Sequence, residues 1–395
     1  MRVILSVEPV RFPLTGIGRY TYELASRLKD SQVVDDLALF SGTRFLDDLP
    51  RVADSAGSAH AVKRLVQKSR IANELYRLLG AWVRGRALRH EQDSLFHGPN
   101  FFLPPFPGKK VATFHDLSPF TWPECHDPAR VGFLQRELEN TLRHADALIT
   151  DSEYTRQELI RFSGLPGNCI HAVPLAAGPD FYPRSEGAVA PTLTRYGIEY
   201  QKYVLYVGTI EPRKNLLVLL EAYERLPERV RAQVPLVLAG YRGWHSDEIH
   251  SRIARGQQQG WARYLGYVSV EDLPLLYSGA CAFVFPSRYE GFGLPVLEAM
   301  ASGVPVVCSD SSSLPEVAGD AALIVPSEDV ATLSQHISQL IDDQQCREKL
   351  VRQSLARARA FSWEQCARGT EMVYQSVMTG MPMSNAGPAQ GQSER

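Results

Sequence analysis

The chain has 395 residues, 44% of them hydrophobic and 22% charged, so it is long enough for two globular domains of ordinary size. The formal net charge of −2 argues against a nucleic-acid-binding protein, because such proteins usually carry a strong basic excess. The six cysteines form no Cys-x-x-Cys pair, which fits a reducing cytosol. The first residues resemble neither a signal peptide nor a membrane span, so these features favour a cytoplasmic protein.

Short apolar, β-rich runs alternate with helical segments along the chain. They lie at 3–7, 37–40, 111–114, 147–150 and 170–173, and then at 203–207, 236–239, 264–265, 281–285, 304–308 and 323–325. Strands that alternate with helices predict parallel, doubly wound sheets, and two such series predict two Rossmann-like domains. Because ligands bind beyond the carboxyl ends of the strands in such sheets, we expect a site in the cleft between two facing domains.

Changes in composition suggest the domain boundaries. Residues 1–180 form the predicted first domain, 181–200 a linker that continues a stretch rich in Pro, Gly and Ala, and 201–362 the second domain. A helical pattern over 363–380 is compatible with a helix that packs back on the first domain. The tail at 381–395 lacks the apolar content to fold, so it is predicted to be disordered.

The first candidate ligand-binding segment follows the first strand. Gly16 and Gly18 precede an amphipathic helix, and a glycine-containing strand-to-helix turn exposes backbone N–H groups that can hold a phosphate. The dinucleotide fingerprint requires a third glycine where Thr21 stands. The segment therefore predicts an anion site but argues against a dehydrogenase.

Residues 61–90 are rich in Lys and Arg. Apolar residues such as Leu75 and Trp82 share one helical face, while Arg70, Arg77 and Arg84 line the opposite one. Two interpretations stay open: the solvated face of an ordinary packed helix, or attachment to an anionic membrane leaflet.

Polar residues follow an apolar strand at His115 and Asp116, so both are expected to face the predicted cleft from the first domain. A histidine at a strand end is as often structural as functional. The position of His115 alone therefore does not decide its role.

Arg213 and Lys214 lie in the turn between the strand at 203–207 and the helix that begins near Leu216. Two cations and free backbone N–H groups at a helix N-terminus can neutralise a diphosphate. The alternative is a solvated charge pair of little consequence.

Glu290 and Glu298 bracket a glycine-containing turn that precedes a short predicted helix. About two helical turns separate them, so we expect both carboxylates on nearly the same helix face, where they could grip two hydroxyl-bearing parts of one elongated ligand. A sugar at one end and a ribose at the other would fit. The alternative is a capped surface helix whose glutamates only favour the positive end of its dipole.

The Glu-x7-Glu spacing, the turn at 208–215 and the His115–Asp116 pair resemble the GT-B retaining glycosyltransferases of family 4, the group 1 enzymes that use nucleotide-diphospho-sugars. The resemblance extends from Met1 to about Val377 and is greatest to bacterial mannosyl- or rhamnosyltransferases that build O-polysaccharide. It implies an α/β GT-B fold with two Rossmann-like domains facing across a cleft. It also implies transfer of a hexose, mannose or rhamnose from a GDP-sugar, to a lipid-linked glycan on the cytoplasmic face of the inner membrane.

The same resemblance implies residue roles. Arg213 and Lys214 would bind the donor diphosphate, Glu298 the ribose hydroxyls and Glu290 the donor sugar, while His115 would lie near the anomeric centre. Backbone groups of four further residues would contact the donor: Gly16, Gly18, Gly293 and Leu294.

No cofactor beyond the nucleotide-sugar co-substrate is implied. The chain has no Asp-x-Asp segment, and Arg213 with Lys214 can supply the charge that Mg²⁺ supplies elsewhere, so we expect a metal-independent enzyme. Two alternatives remain: a nucleotide-sugar epimerase on the same frame, and a non-catalytic sugar-nucleotide-binding assembly subunit.

Overall fold

The computed structural model describes residues 1–14, 16–50, 82–126 and 128–381. Within these residues the chain forms two α/β domains, one around a seven-stranded sheet and one around a six-stranded sheet. The prediction of two Rossmann-like domains is confirmed.

The first sheet has the strand order β3-β2-β1-β4-β5-β6-β7, and its neighbours are parallel except for β2 and β3. The chain passes from β1 to β2 on one side and then crosses to β4 on the other, so the topological switch lies between β1 and β4. Its strands are β1 Arg2–Ser6, β2 Asp36–Ser41, β3 Arg44–Leu46, β4 Leu95–Gly98, β5 Lys109–Phe114, β6 Ala147–Thr150 and β7 Ile170–Ala172.

Four labelled helices belong to this domain: α1 Gly16–Leu28, α2 Ser118–Thr121, α3 Pro128–His144 and α4 Glu153–Ser163. Helix α1 is amphipathic and buries Tyr20, Leu24 and Leu28. Helix α4 begins after Ser152, whose hydroxyl accepts from the Thr155 N–H, so its N-terminus is capped.

The second sheet has the order β10-β9-β8-β11-β12-β13, and all its neighbours are parallel. The chain moves outward from β8 to β10 and then returns to β11, so this switch lies between β8 and β11. Its strands are β8 Val204–Val207, β9 Leu236–Ala239, β10 Ala262–Gly266, β11 Ala282–Phe285, β12 Val306–Ser309 and β13 Ala322–Val325.

The remaining helices begin with α5 Glu186–Arg195 and end with α14 Trp363–Thr379. Those between them are α6 Leu216–Glu224, α7 Glu228–Gln233, α8 Asp247–Gln258, α9 Leu273–Gly279, α10 Leu294–Ala301, α11 Leu314–Ala318, α12 Val330–Asp342 and α13 Gln344–Ala358. Strands β8, β9, β11 and β12 are almost wholly buried, as expected for a parallel sheet covered by helices on both faces.

The structure differs from the sequence prediction at three elements. Strands β3 and β4 were not predicted, because β3 is very short and His97 interrupts the apolar pattern of β4. Helix α5 lies inside the predicted linker at 181–200. Burial of Val189 and Leu193 in the same core as Tyr203 stabilises this helix despite its internal proline.

Helix α14 returns to the first domain. The Trp363 Nε1 donates to the Ala177 carbonyl at 3.0 Å, and the Tyr374 hydroxyl lies 2.6 Å from His97 Nδ1 at the end of β4. Residues 61–81 of the basic stretch, and all but the first residue of the predicted disordered tail, lie outside the described residues. Among the described helices, none is long and apolar enough to cross a membrane.

Candidate functional site

Arg213 and Lys214 lie at the carboxyl end of β8, at the switch of the second sheet, in the 3₁₀ turn Pro212–Lys214 that precedes α6. Lys214 is buried and donates to Glu290 Oε1 at 2.6 Å. Arg213 is held by Glu211 Oε1 at 2.9 Å and by the Tyr289 carbonyl at 2.9 Å. The second strand of the switch, β11, leads to Tyr289 and Glu290, so the fold brings the predicted cations and carboxylate together.

Glu290 lies in an irregular loop, not on helix α10, which begins only at Leu294. The expectation that Glu290 and Glu298 share a helix face is therefore wrong. Gly293 at φ 108° interrupts any helix between them, because this conformation is incompatible with helical backbone. Ser287 fixes the Glu290 carboxylate by donating to Oε1 at 2.6 Å.

Serines after β12 hold the backbone of the same loop. The Glu290 N–H donates to Ser312 Oγ at 2.8 Å, and Ser313 Oγ donates to the carbonyls of Glu290 and Phe292 at 2.9 and 2.8 Å. These serines are not among the site residues predicted from the sequence. The signal was available, since the run Ser311–Ser313 follows a strand end on the same sheet edge.

Glu298 lies on α10 and accepts from the Tyr277 hydroxyl at 3.1 Å. Burial raises the pKa of Glu298 to about 7, although the Tyr277 hydroxyl and the Arg19 guanidinium of α1 act in the opposite direction. Arg19 of the first domain therefore lies near Glu298, the residue of the second domain that is predicted to bind the ribose.

We expect Glu298 to make folding stability depend on pH. Because its pKa rises from 4.5 to about 7, the folded state binds more protons than the unfolded state in this window. Its contribution to stability is therefore present below pH 4.5 and is lost as the pH rises through about 7. In thermal unfolding, the Tm of Glu298→Gln should rise relative to the Tm of the wild type between pH 5 and pH 8. Parallel pH profiles of the two proteins would contradict this assignment.

His115 directly follows β5, and both its ring nitrogens are engaged within the first domain. Nδ1 lies 2.7 Å from Asp151 Oδ2, and Nε2 lies 2.8 Å from the Pro99 carbonyl oxygen. Burial alone would lower the pKa of His115, but the Asp151 carboxylate and the Pro99 carbonyl act against it, and the net pKa is raised. A carboxylate and a carbonyl both accept, so the imidazolium form matches this environment.

The two domains meet where His115 faces the Glu290 loop. A Cβ added at Gly291 would lie 1.7 Å from the His115 carbonyl oxygen, so only glycine fits this approach. The Arg213 guanidinium and the Ser118 hydroxyl lower the pKa of Asp116 even though burial opposes them, so a carboxylate of the first domain faces a cation of the second.

The glycine turn of the first domain lies opposite helix α10. Gly16 is the first residue of α1, Gly18 is buried in the same turn, and a Cβ at Gly16 would lie 3.8 Å from Leu294 Cδ1. The predicted backbone ligands Gly16 and Leu294 are thus neighbours across the cleft. The described residues contain no group of three His, Cys, Asp or Glu side chains arranged to hold a metal ion.

Comparisons with known proteins agree with this architecture. The family model described as glycosyl transferases group 1 matches residues 195–357, and the model described as glycosyltransferase family 4 matches residues 14–179. The sucrose-phosphate synthase of Thermosynechococcus elongatus has a similar fold, with a TM-score of 0.68 at 21% identity over 96% of this chain and all of that one.

Two relatives from Escherichia coli are similar in sequence. The O-antigen chain mannosyltransferase B is 45% identical over 95% of this chain and 99% of its own length. The serotype-specific mannosyltransferase WbdA is 31% identical over 66% of this chain, which spans only 32% of that longer protein. With both domains matched by their family models and a relative matched over nearly its whole length, this chain belongs to the family 4, group 1 glycosyltransferases and has the GT-B fold.

Proposed function

We propose that the chain transfers mannose from GDP-mannose to a lipid-linked glycan in O-antigen biosynthesis, with retention of configuration. One observation carries the catalytic part: Lys214, Arg213 and Glu290 converge at the topological switch of the second sheet, and the loop of Glu290 packs at Gly291 against the His115 carbonyl of the first domain. The 45% identity to an O-antigen chain mannosyltransferase supports mannose as the sugar. GDP as the nucleotide follows from the family resemblance of the sequence.

Arg213 and Lys214 are assigned to the donor diphosphate. A fixed pair of cations stabilises the charge that develops on the leaving nucleotide without reorganising during the reaction. Lys214 is already oriented by Glu290, so a bound diphosphate exchanges one anionic partner of Lys214 for another. Glu290 then accepts from a hydroxyl of the donor sugar, and Glu298 from the ribose.

Lys214 and Ser287 orient the Glu290 carboxylate before the donor binds, and we assign Glu290 to positioning of the donor sugar and not to covalent catalysis. The acceptor hydroxyl attacks the anomeric carbon from the face that the diphosphate leaves. The bond from that carbon to the acceptor oxygen forms while the bond to the phosphate oxygen breaks, and the departing phosphate takes the proton. We place His115 near the anomeric centre, where Asp151 and the Pro99 carbonyl hold its ring.

The acceptor places the enzyme at the cytoplasmic face of the inner membrane as a peripheral protein. The described end of the basic stretch supports this part of the proposal, since Trp82 is 64% exposed and the Arg86 guanidinium lies 5.9 Å from its ring centroid. Exposed tryptophan beside arginine suits a membrane interface. The charge supplied by Arg213 and Lys214 supports catalysis without a metal ion.

Transfer assays in EDTA test the proposal. Purified protein, a lipid-linked O-antigen acceptor and one of GDP-mannose, GDP-rhamnose or UDP-glucose are incubated, and glycolipid and nucleotide products are separated. We expect mannose in the lipid fraction and equal release of GDP, with unchanged rates in EDTA. A strict Mn²⁺ requirement would contradict metal independence. Conversion of the donor without acceptor would favour the epimerase, and binding without turnover would favour the assembly subunit.

A further inference from the structure

Helix α4 of the first domain holds the loop that carries Glu290. The hydroxyls of Ser152 and Thr155, at the start of α4, both donate to the Gly291 carbonyl, at 2.6 and 2.9 Å. One turn further along, Glu158 accepts from the Tyr289 hydroxyl at 2.5 Å. The residues on either side of Glu290 are thus fixed by one helix of the opposite domain.

Glu316 of α11 joins the same helix from the second domain. Its Oε1 accepts from the Glu153 N–H at 2.9 Å and its Oε2 from the Tyr154 N–H at 3.0 Å. These are the first two N–H groups of α4, which have no partner within the helix and lie at the positive end of its dipole. The carboxylate therefore makes a bidentate, charge-assisted contact across the domain interface.

The segment that carries Glu316 also holds the Glu290 loop from its own domain, through Ser312 and Ser313. Arg357 of α13 fixes the backbone of α11 by donating to the Glu316 carbonyl at 2.6 Å. A closed ring of contacts results, running from the 312–316 segment to the Glu290 loop, on to α4, and back through Glu316.

We infer that Glu316 is a positioning residue for sugar transfer. It holds α4 against the Glu290 loop and so keeps Glu290 at a fixed position relative to His115. The inference rests on the proposed function and deepens it. Within the part of the chain that the structure describes, the Glu316 carboxylate accepts from the Glu153 and Tyr154 N–H groups and makes no hydrogen bond or ion pair with Arg213, Lys214 or Glu298. Closure of the cleft, and not nucleotide affinity, is therefore the property that Glu316 controls.

The test compares Glu316→Ala and the isosteric Glu316→Gln with Glu348→Gln, which removes an exposed carboxylate from α13 of the same domain. With saturating GDP-mannose and acceptor, we expect kcat at least tenfold lower in Glu316→Ala, an intermediate value in Glu316→Gln and no change in the control. The Kd for GDP, measured by calorimetry, should stay within twofold of the wild type. Thermal unfolding identifies the variants that fold, and Glu316→Gln preserves the size of the side chain.

Either of two results overturns the inference: kcat equal to the control, or kcat and GDP affinity falling together. Small-angle scattering with GDP provides a readout that does not depend on transfer. The radius of gyration of Glu316→Ala should exceed that of the wild type, because the cleft opens, and equal values would refute the positioning role. If the wild type shows no transfer at all, the proposed function fails, while scattering still decides the role of Glu316.

Discussion

Replacing Glu290 by Gln is expected to lower the rate of mannose transfer by roughly 100- to 1,000-fold, while GDP binds at least as tightly as to the wild type. Glutamine keeps the size of the side chain and can still accept from Ser287, but it removes the charge that faces Lys214. The sugar then loses its anionic partner. The two cations lose a competitor for the diphosphate, which explains the retained or increased affinity for GDP.

Initial rates and calorimetric titration with GDP measure both halves of this expectation. Glu328→Gln is the matched control, because Glu328 pairs with Arg288 close to the same loop but is 62% exposed and lies outside the site. A rate within threefold of the wild type would remove Glu290 from the mechanism. Loss of GDP binding together with activity would show that Glu290 mainly maintains the cation site.

Replacing Lys214 by Met is expected to weaken GDP binding by roughly 10- to 100-fold, since a charge-assisted hydrogen bond contributes about 1.5–3 kcal/mol. Of the two cations, Lys214 gives the substitution whose effect on GDP binding is easier to interpret. Arg213→Met should have a similar effect on GDP, but it also releases the Tyr289 carbonyl and Glu211, so its effect combines binding with loop structure.

Calorimetry with GDP on the Lys214→Met variant measures this effect directly. Lys202→Met is its control, because Lys202 is exposed and pairs with Glu199, three residues before it in the chain. An unchanged Kd for GDP in Lys214→Met would exclude Lys214 from the diphosphate site and leave its bond to Glu290 as a structural contact.

The meeting of Arg213, Lys214 and Glu290 could be predicted from the sequence because it follows from sheet topology. Each residue comes shortly after an apolar run, and parallel strands on either side of a switch end at the same edge. Predicting this meeting point does not require the exact backbone conformation of the loops. The same reasoning placed His115 at the facing edge of the first sheet, and the His115 carbonyl does lie against Gly291.

The conformation of the Glu290 loop could not be predicted in the same way. The spacing of Glu290 and Glu298 suggested that both lie on one helix face, but contacts from Ser312 and Ser313, more than twenty residues away, hold the Glu290 loop in another shape. The imidazole of His115 shows the same limit, because its partners Asp151 and Pro99 come from other strand ends. Such contacts between distant segments depend on the folded geometry and leave little local pattern.

Helix α5 shows how tertiary packing outweighs local propensity. Pro183 and the neighbouring Gly187 favour a linker, yet Val189 and Leu193 are buried and stabilise a helix over Glu186–Arg195. The hydrophobic spacing of these residues was present in the sequence but was given less weight than the turn-forming residues.

The transfer reaction from GDP-mannose in EDTA, read by NMR of the glycolipid product, tests the central claim most directly. The account predicts α-linked mannose on the acceptor, one GDP released for each mannose transferred, and no requirement for added metal. Because the sugar of GDP-mannose is itself α-linked, β-linked mannose in the product would contradict retention. Absence of mannose transfer, with another nucleotide-sugar used in its place, would contradict the proposed donor.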